Sequence, residues 1–309
     1  MSPESQDKIE SQSTASPFNF TTGAAFSVLK ESITQAFWQP VIDLFNQSKK
    51  HLIKPAILLL SGPCIIMAGF YFGSLGINGT IEGFGPIIQY LICFSIGSIG
   101  GIVCITWSIS EWLFKLTAFS RSLQNGQTMQ ESIDYLKTRK GFLFVSWFIY
   151  GLLMTPCILV LIASSILAMM QMPILQPLVL PDYITVPAEI MSGLALIFST
   201  MYALLLIAVS GITDSSGTKA ALTALAGTFK TCIPLLIYAI LANIIFCITI
   251  EIVFTVVSLQ MTFQNYIPGL WEQVAIIFSS SILRGIASFF VLPFLIAVPA
   301  EITKRAIRN

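Results

Sequence analysis

Six long apolar segments dominate the chain and restrict what it can fold into. They cover approximately residues 53–76, 86–109, 141–170, 187–212, 232–259 and 273–302. Each exceeds the ~20 residues that an α-helix needs to cross ~30 Å of hydrocarbon. Of the 309 residues, 55% are hydrophobic and 10% are charged, whereas soluble domains carry about 25% charged residues. The sequence therefore predicts an all-α integral membrane protein, with a six-span transmembrane helical bundle in residues 53–309.

The basic residues lie on alternate connections between these segments. Connections 77–85, 171–186 and 260–272 contain no Lys or Arg. With six spans, every basic residue except Arg284 then lies on one side of the membrane. The positive-inside rule makes that side, with both termini, cytoplasmic. A five-span or seven-span topology would break this pattern.

Two amino-terminal regions precede the first span. Residues 1–20 are rich in Ser, Gln and Glu, and we expect a disordered cytoplasmic tail. In residues 21–52, apolar side chains recur every three or four positions, which predicts an amphipathic helix that is bent or broken before Pro40. We expect this region to lie on the bilayer surface or to pack across the end of the bundle. The apolar positions are Phe26, Leu29, Ile33, Phe37, Val41 and Phe45.

Two cytoplasmic connections resemble each other and predict further interfacial helices. In "GQTMQESIDYL" and "GTKAALTALAGTF", a glycine is followed by a threonine, Thr128 or Thr218, which is a suitable N-cap. An apolar stripe and a basic residue at the membrane entry follow. A unit of span, interfacial helix and span would then occur twice in parallel, as in many transporters. The alternative is that any bundle with basic cytoplasmic turns looks self-similar. The predicted stripes are Met129, Ile133 and Leu136 in one copy and Ala221, Leu222, Leu225 and Phe229 in the other.

These two stretches carry a resemblance to known proteins. The pattern resembles a group of bacterial polytopic inner-membrane proteins, among them the YciC-like proteins and the membrane domain attached to some glycerophosphodiester phosphodiesterases. The likeness covers about half of the chain, and the phosphodiesterase catalytic domain is absent. It implies a membrane role in a bacterial inner membrane and no catalytic residues.

The sequence contains no recognisable catalytic or cofactor motif. It lacks a P-loop, GxGxxG, HExxH and GxSxG. The single histidine, His51, lies among lysines without a nearby carboxylate or cysteine, which favours a headgroup contact over a base or a ligand. The six cysteines show no metal-binding or redox spacing. The basic residues flank the membrane and form no separate patch for nucleic acid. We therefore expect no enzyme, no cofactor, no metal and no nucleic-acid partner.

Small residues in the apolar segments predict close helix packing. Gly69 and Gly73, and Gly97 and Gly101, form GxxxG patterns, and Ser281 with Gly285 forms a related one. In lipid, such residues let helix backbones approach closely. The packing could lie within the bundle or against another subunit.

Two ionisable residues lie deep in predicted spans. Glu251 is eight residues before the end of the fifth span, and Arg284 is eleven after the start of the sixth, at depths of ~12 Å and ~17 Å. The two spans should be antiparallel neighbours, so the side chains can pair. The pair could lock the spans together, Arg284 could face a polar cavity, or Arg284 could snorkel outward. Asn243, Ser280 and Ser281 add polar groups on the same spans.

The function that the sequence favours is non-enzymatic. We expect a multi-pass membrane protein that acts by helix packing with the lipid bilayer, a protein partner or further copies of itself, in envelope maintenance or assembly. The alternative is a small permease or channel whose polar pathway passes Glu251 and Arg284 and takes an anionic solute.

Overall fold

A computed structural model describes residues 18–78, 85–170, 182–213, 216–241, 244, 286 and 289–308. This part of the chain is helical and contains no strand, which confirms the all-α prediction for the residues described. The helices are α1 Thr22–Glu31, α2 Gln35–Asn78, α3 Gly85–Asn125, α4 Met129–Lys137, α5 Lys140–Met170, α6 Asp182–Ile212, α7 Gly217–Lys230, α8 Cys232–Leu241, α9 at 289–295 and α10 Ala297–Arg308.

Three of the described helices contain a segment long and apolar enough to cross a membrane. These segments are Leu91–Asn125 in α3, Lys140–Leu161 in α5 and Thr185–Ile212 in α6. Helices α7 and α8 meet at 92° and would supply a fourth if they formed one broken span. The described helices thus support a membrane protein with three or four such segments. The predicted span 53–76 lies inside α2, which is not among them, and most of the fifth and sixth predicted spans lies outside the described residues.

The amino-terminal amphipathic region is two helices, and the second of them continues to Asn78. The chain breaks at residues 32–34, before Pro40 as predicted, and Pro40, Pro55 and Pro63 lie within α2. Local side chains satisfy the carbonyl groups at this break. The Trp38 indole N–H donates to the Ser32 carbonyl at 2.7 Å, and the Thr34 hydroxyl donates to the Glu31 carbonyl at 2.7 Å.

The chain divides into two compact units. Unit one contains α1, α5, α6, α7, α8 and α10. In it, α5, α6 and α7 pack against one another, and α10 packs on α6 and α1. Unit two contains α2 from Gln39 onward, α3, α4 and α9.

Within unit two, α2 and α3 are antiparallel. The Ser108 hydroxyl of α3 donates to the Pro55 carbonyl of α2 at 2.7 Å, and the Gln89 amide donates to the Phe72 carbonyl at 3.4 Å. Residue numbers therefore rise along α2 as they fall along α3. Near the other end of this pair, the Phe45 ring packs against three phenylalanine rings of α9, those of Phe289, Phe290 and Phe294.

The two predicted N-caps have different outcomes. Thr128 caps α4, which confirms that prediction, and Glu131 completes a capping box that was not predicted. The Thr218 prediction is wrong: Ser216 caps α7, and its hydroxyl accepts from the Lys219 amide at 3.3 Å. Ser216 and Thr218 both carry a hydroxyl group that could cap α7, and Ser216 has the extended backbone that an N-cap needs.

The capping box yields a stability prediction. We expect Thr128→Ala to lower the free energy of unfolding by about 1 kcal/mol, because the Glu131 amide loses its acceptor. Thr138→Ala, at the other end of α4, removes an exposed hydroxyl and serves as the control. Denaturant unfolding in detergent micelles measures both. Equal midpoints for the two variants would contradict the role of the cap.

Helix α7 packs into unit one through small residues. Of its predicted apolar stripe, Ala221 is buried, whereas Leu222 is 51% exposed and Phe229 is 63% exposed. Exposed positions of this kind are where an interfacial helix would meet lipid, so that placement stays a prediction. The buried face is made of small residues because α7 lies very close to its neighbours. A Cβ atom at Gly217 would be 2.5 Å from the Phe142 carbonyl oxygen. The buried residues are Gly217, Ala220, Ala221, Ala224, Gly227 and Thr228. The α4 stripe is confirmed, since Met129, Ile133 and Leu136 are buried.

Candidate functional site

The predicted intramembrane pair falls outside the described part of the chain. This applies to Glu251 and Arg284 and to the polar residues around them, Asn243, Ser280 and Ser281, and also to Gly285. The four remaining predicted packing residues are placed: Gly69 and Gly73 lie on α2, and Gly97 and Gly101 lie on α3.

Helices α2 and α3 touch through four glycines, which we call the glycine crossing: Gly62 and Gly69 on α2, and Gly97 and Gly101 on α3. A Cβ atom at Gly69 would lie 2.6 Å from the Cα atom of Gly97, and the reverse distance is the same. At Gly101, a Cβ atom would lie 2.7 Å from the Gly62 carbonyl oxygen. No side chain larger than hydrogen fits between these backbones, so the glycines set how closely the helices approach.

Gly62 is a packing residue that the GxxxG pattern does not identify. That pattern pairs Gly69 with Gly73, whereas the structure brings Gly62 and Gly69, seven residues apart, against the same helix. Seven residues are about two helical turns, so both glycines lie on one face. The heptad spacing was the signal that could have identified Gly62.

A group of basic residues lies on α2, α3 and α4, away from the glycine crossing. We call His51, Lys54, Lys115 and Lys137 the basic cluster. The Lys54 ammonium is 2.9 Å from a Glu111 carboxylate oxygen and lies 5.4 Å from the centre of the Trp107 ring. The Trp107 side chain also hydrogen-bonds Glu111. The carboxylate that is closest to this cluster is therefore already engaged by two donors.

Lys115 is the half-buried member of the basic cluster. The charges of Lys54, Lys137 and Glu111 all act on it. The nearby Lys137 pairs with Asp134 at 2.8 Å within α4. On the neighbouring helix, burial together with the positive charges of Lys115 and Lys50 lowers the pKa of His51. The region therefore concentrates positive charge and favours a neutral His51 side chain.

In unit one, α1 and α10 are joined by an ion-pair network. The Arg305 guanidinium binds both carboxylate oxygens of Glu31, and it also contacts Glu301 at 3.1 Å and the Ser27 hydroxyl at 3.2 Å. Beside it, the backbone N–H of Asn19 donates to the Ala306 carbonyl at 2.7 Å. The hydrogen bond from Arg305 lowers the pKa of Glu31, and the bond to Glu31 raises the pKa of Arg305.

This network makes the α1–α10 contact sensitive to acid. Because the folded-state pKa of Glu31 is lowered, its contribution to stability is present above the unfolded-state pKa and is lost as pH falls through the folded-state pKa. We expect Glu31→Gln to be less stable than the wild type at about pH 6, and the difference to shrink as pH falls through the lowered folded-state pKa of Glu31. Unfolding curves at a series of pH values below about 6 measure it. A difference that does not change with pH would contradict the ionic origin.

The described residues contain no group of three or more His, Cys, Asp or Glu side chains that could hold a metal ion. Their five cysteines, Cys64, Cys93, Cys104, Cys157 and Cys232, are free thiols, and Cys247 lies outside them. When the chain is compared with known proteins, no protein-family model, no curated protein and no solved structure matches it.

Proposed function

We propose that this chain is a multi-pass integral membrane protein with six spans and cytoplasmic termini, located in a bacterial inner membrane. It acts without catalysis, through helix packing with lipids, a protein partner or further copies of itself, in envelope maintenance or assembly. The observation that carries the proposal is the glycine crossing, where the long helix α2 meets α3, which contains a membrane-length apolar segment, backbone to backbone. Such contacts are typical of helices that associate in lipid, where packing rather than water drives association.

The outward faces of the same helices support this proposal. Ile96 on α3 is 66% exposed and Phe144 on α5 is 71% exposed. Apolar surface costs roughly 25 cal/mol per Å² in water, and large exposed apolar patches mark sites of contact with a membrane or a protein partner. Lipid removes this cost. The exposed apolar residues on α3 include Ile88, Leu91, Ile92, Ile99, Ile102, Val103 and Ile109.

Cysteine labelling tests the six-span topology. The six native cysteines are replaced, and single cysteines are placed at Gln176 and Gln264 in predicted outer connections, and at Gln127 and Ser215 in predicted cytoplasmic ones. A membrane-impermeant maleimide should label the cysteines at positions 176 and 264 in intact cells. It should label those at positions 127 and 215 only after permeabilisation. Labelling of position 127 or 215 in intact cells would overturn the topology.

Helix packing is tested separately in the reconstituted protein. Crosslinking of the wild type in vesicles should give either a monomer with a close α2–α3 contact or a defined oligomer. Gly97→Ile, which places a side chain between α2 and α3, should destabilise the protein in both cases. A variant that keeps the wild-type assembly and stability would remove the observation on which the proposal rests.

A further inference from the structure

A cavity of about 410 Å³ lies in unit one, between α7 and the segment that precedes α1. Its walls are held by close contacts. A Cβ atom at Gly227 would lie 2.9 Å from two carbons of the Phe20 ring, so this ring rests directly on the α7 backbone. The Thr22 hydroxyl, at the start of α1, donates to the Lys230 carbonyl at 2.8 Å. These two contacts fix the amino-terminal wall of the cavity against α7.

The charged groups that line the cavity are basic. They are Lys219 and Lys230, and no carboxylate is among the described residues of the lining. Lys230 is exposed at the carboxyl end of α7, and its ammonium forms no ion pair within the described part of the chain. Thr218 and Thr223 add hydroxyl groups. Such a lining suits a negatively charged group with several acceptor oxygens, as a phosphate is.

Apolar side chains complete the lining, which a free anion would not require. Phe20 and Leu222 contribute to it, and Leu222 is half exposed. Beyond the carboxyl end of α7, three exposed isoleucines recur on α8 at spacings of four and three residues, which places them on one face of that helix. A ligand with an anionic group and apolar chains matches both surfaces. The three residues are Ile233, Ile237 and Ile240.

The position of α7 places the cavity at the membrane boundary in the proposed topology. The apolar segment of α6 ends at Ile212, and α8 begins two residues after α7 ends. Because α7 and α8 meet at 92°, α7 lies along the membrane plane when α8 runs across the bilayer. Helices in this orientation lie at the level of the lipid headgroups.

We infer that this cavity binds the headgroup of an anionic phospholipid on the cytoplasmic side, with Lys230 contacting its phosphate and the acyl chains following α8. Basic pockets beside membrane helices on this side suit such headgroups. The inference rests on the proposed function, because the topology must place α7 at the cytoplasmic boundary of the bilayer.

Lipid titration of the purified full chain in detergent tests the charge requirement. Phosphatidylglycerol and phosphatidylcholine are added in turn, and bound lipid is counted by native mass spectrometry. The wild type should prefer phosphatidylglycerol. Lys230→Gln should bind it about tenfold more weakly, because a charge-assisted hydrogen bond is lost, whereas Lys230→Arg should bind nearly as the wild type does.

Lys30→Gln is the matched control, since Lys30 is an exposed lysine of the same unit that does not line the cavity. It should bind phosphatidylglycerol as the wild type does. Equal weakening in Lys230→Gln and Lys30→Gln would indicate a diffuse charge effect and overturn the site. Unchanged binding in Lys230→Gln, or equal binding of the two lipids by the wild type, would overturn it as well.

Filling the cavity tests its role without changing any charge. Ala226 lines the cavity and is exposed, so Ala226→Trp should place an indole ring in the space of the headgroup and abolish the preference for phosphatidylglycerol. Phe229→Trp, on the same helix but outside the lining, should keep it. A preference that survives in Ala226→Trp would overturn the cavity as the binding site. A wild-type dimer that Ala226→Trp converts to a monomer would assign the cavity to a second copy of the chain.

Inorganic phosphate distinguishes a lipid from a soluble anion. Added alone, it should not raise the thermal unfolding temperature at concentrations where phosphatidylglycerol does, and equal stabilisation by both would overturn the lipid assignment. Failure of this inference is also distinct from failure of the proposed function, because cysteine labelling reports the topology without added lipid. Labelling as expected with no lipid preference rejects this site and leaves the topology intact.

Discussion

Gly97→Ile should separate α2 from α3 and lower the free energy of unfolding by about 3 kcal/mol or more. The reason is geometric. A Cβ atom at position 97 would lie 2.6 Å from the Gly69 Cα atom and 3.1 Å from the Ile65 carbonyl oxygen. These neighbours are backbone atoms and cannot turn aside as a side chain can, so the helices must move apart. Contacts along the crossing are then lost together.

A glycine in open surroundings provides the control for this experiment. Gly193 on α6 has no heavy atom within 4 Å of the position that a Cβ atom would occupy, so Gly193→Ile should leave stability near that of the wild type or raise it through helix propensity. Gly97→Ala should lie between the wild type and Gly97→Ile. Unfolding in mixed micelles, followed by tryptophan fluorescence, measures all three. Similar losses at positions 97 and 193 would show that the crossing does not set stability.

The helical class of this chain could be predicted because apolar length is a property of the sequence alone. Segments 86–109, 141–170 and 187–212 correspond to described helices α3, α5 and α6. Local capping chemistry was readable in part: the Thr128 cap acts within one turn and was predicted, whereas Ser216 was missed in favour of Thr218. These features depend on neighbours a few residues away, and a sequence displays them directly.

Which face of a helix is buried was harder to predict. On α4 the large apolar residues are buried, whereas on α7 the small residues are buried. The two helices have the same connectivity, since each follows a long helix and packs back on it. Gly227 shows why they differ: its Cα comes so close to the Phe20 ring and the Leu205 side chain that a Cβ atom would be under 3.0 Å from both. Such proximity depends on partners distant in sequence.

Ion pairs between residues distant in sequence could not be predicted, for the same reason. Lys54 and Glu111 are 57 positions apart, and Glu31 and Arg305 are 274 apart. Charge distribution along the chain predicted that the lysines would gather on one side. It could not predict that Glu111 would pair with Lys54. That outcome follows from the register of α2 against α3, which the glycine crossing sets.

A second large loss of stability is expected for Tyr202→Ala in unit one. Tyr202 is fully buried on α6, its ring centre is 4.9 Å from that of Tyr150 on α5, and its hydroxyl donates to the Ala221 carbonyl on α7 at 3.1 Å. It therefore contacts all three helices that form this unit's core. Removing the ring should leave a cavity and lower the free energy of unfolding by about 3–5 kcal/mol.

Two further variants separate the contributions of the Tyr202 side chain. Tyr202→Phe keeps the ring and loses the hydrogen bond, so it should cost about 1 kcal/mol. Phe144→Ala removes an aromatic ring that is 71% exposed on α5 and should change stability little, because that ring has few protein contacts to lose. Urea or detergent unfolding of the purified chain ranks them. If Tyr202→Phe were as unstable as Tyr202→Ala, the hydrogen bond to α7, rather than ring packing, would hold the three helices together.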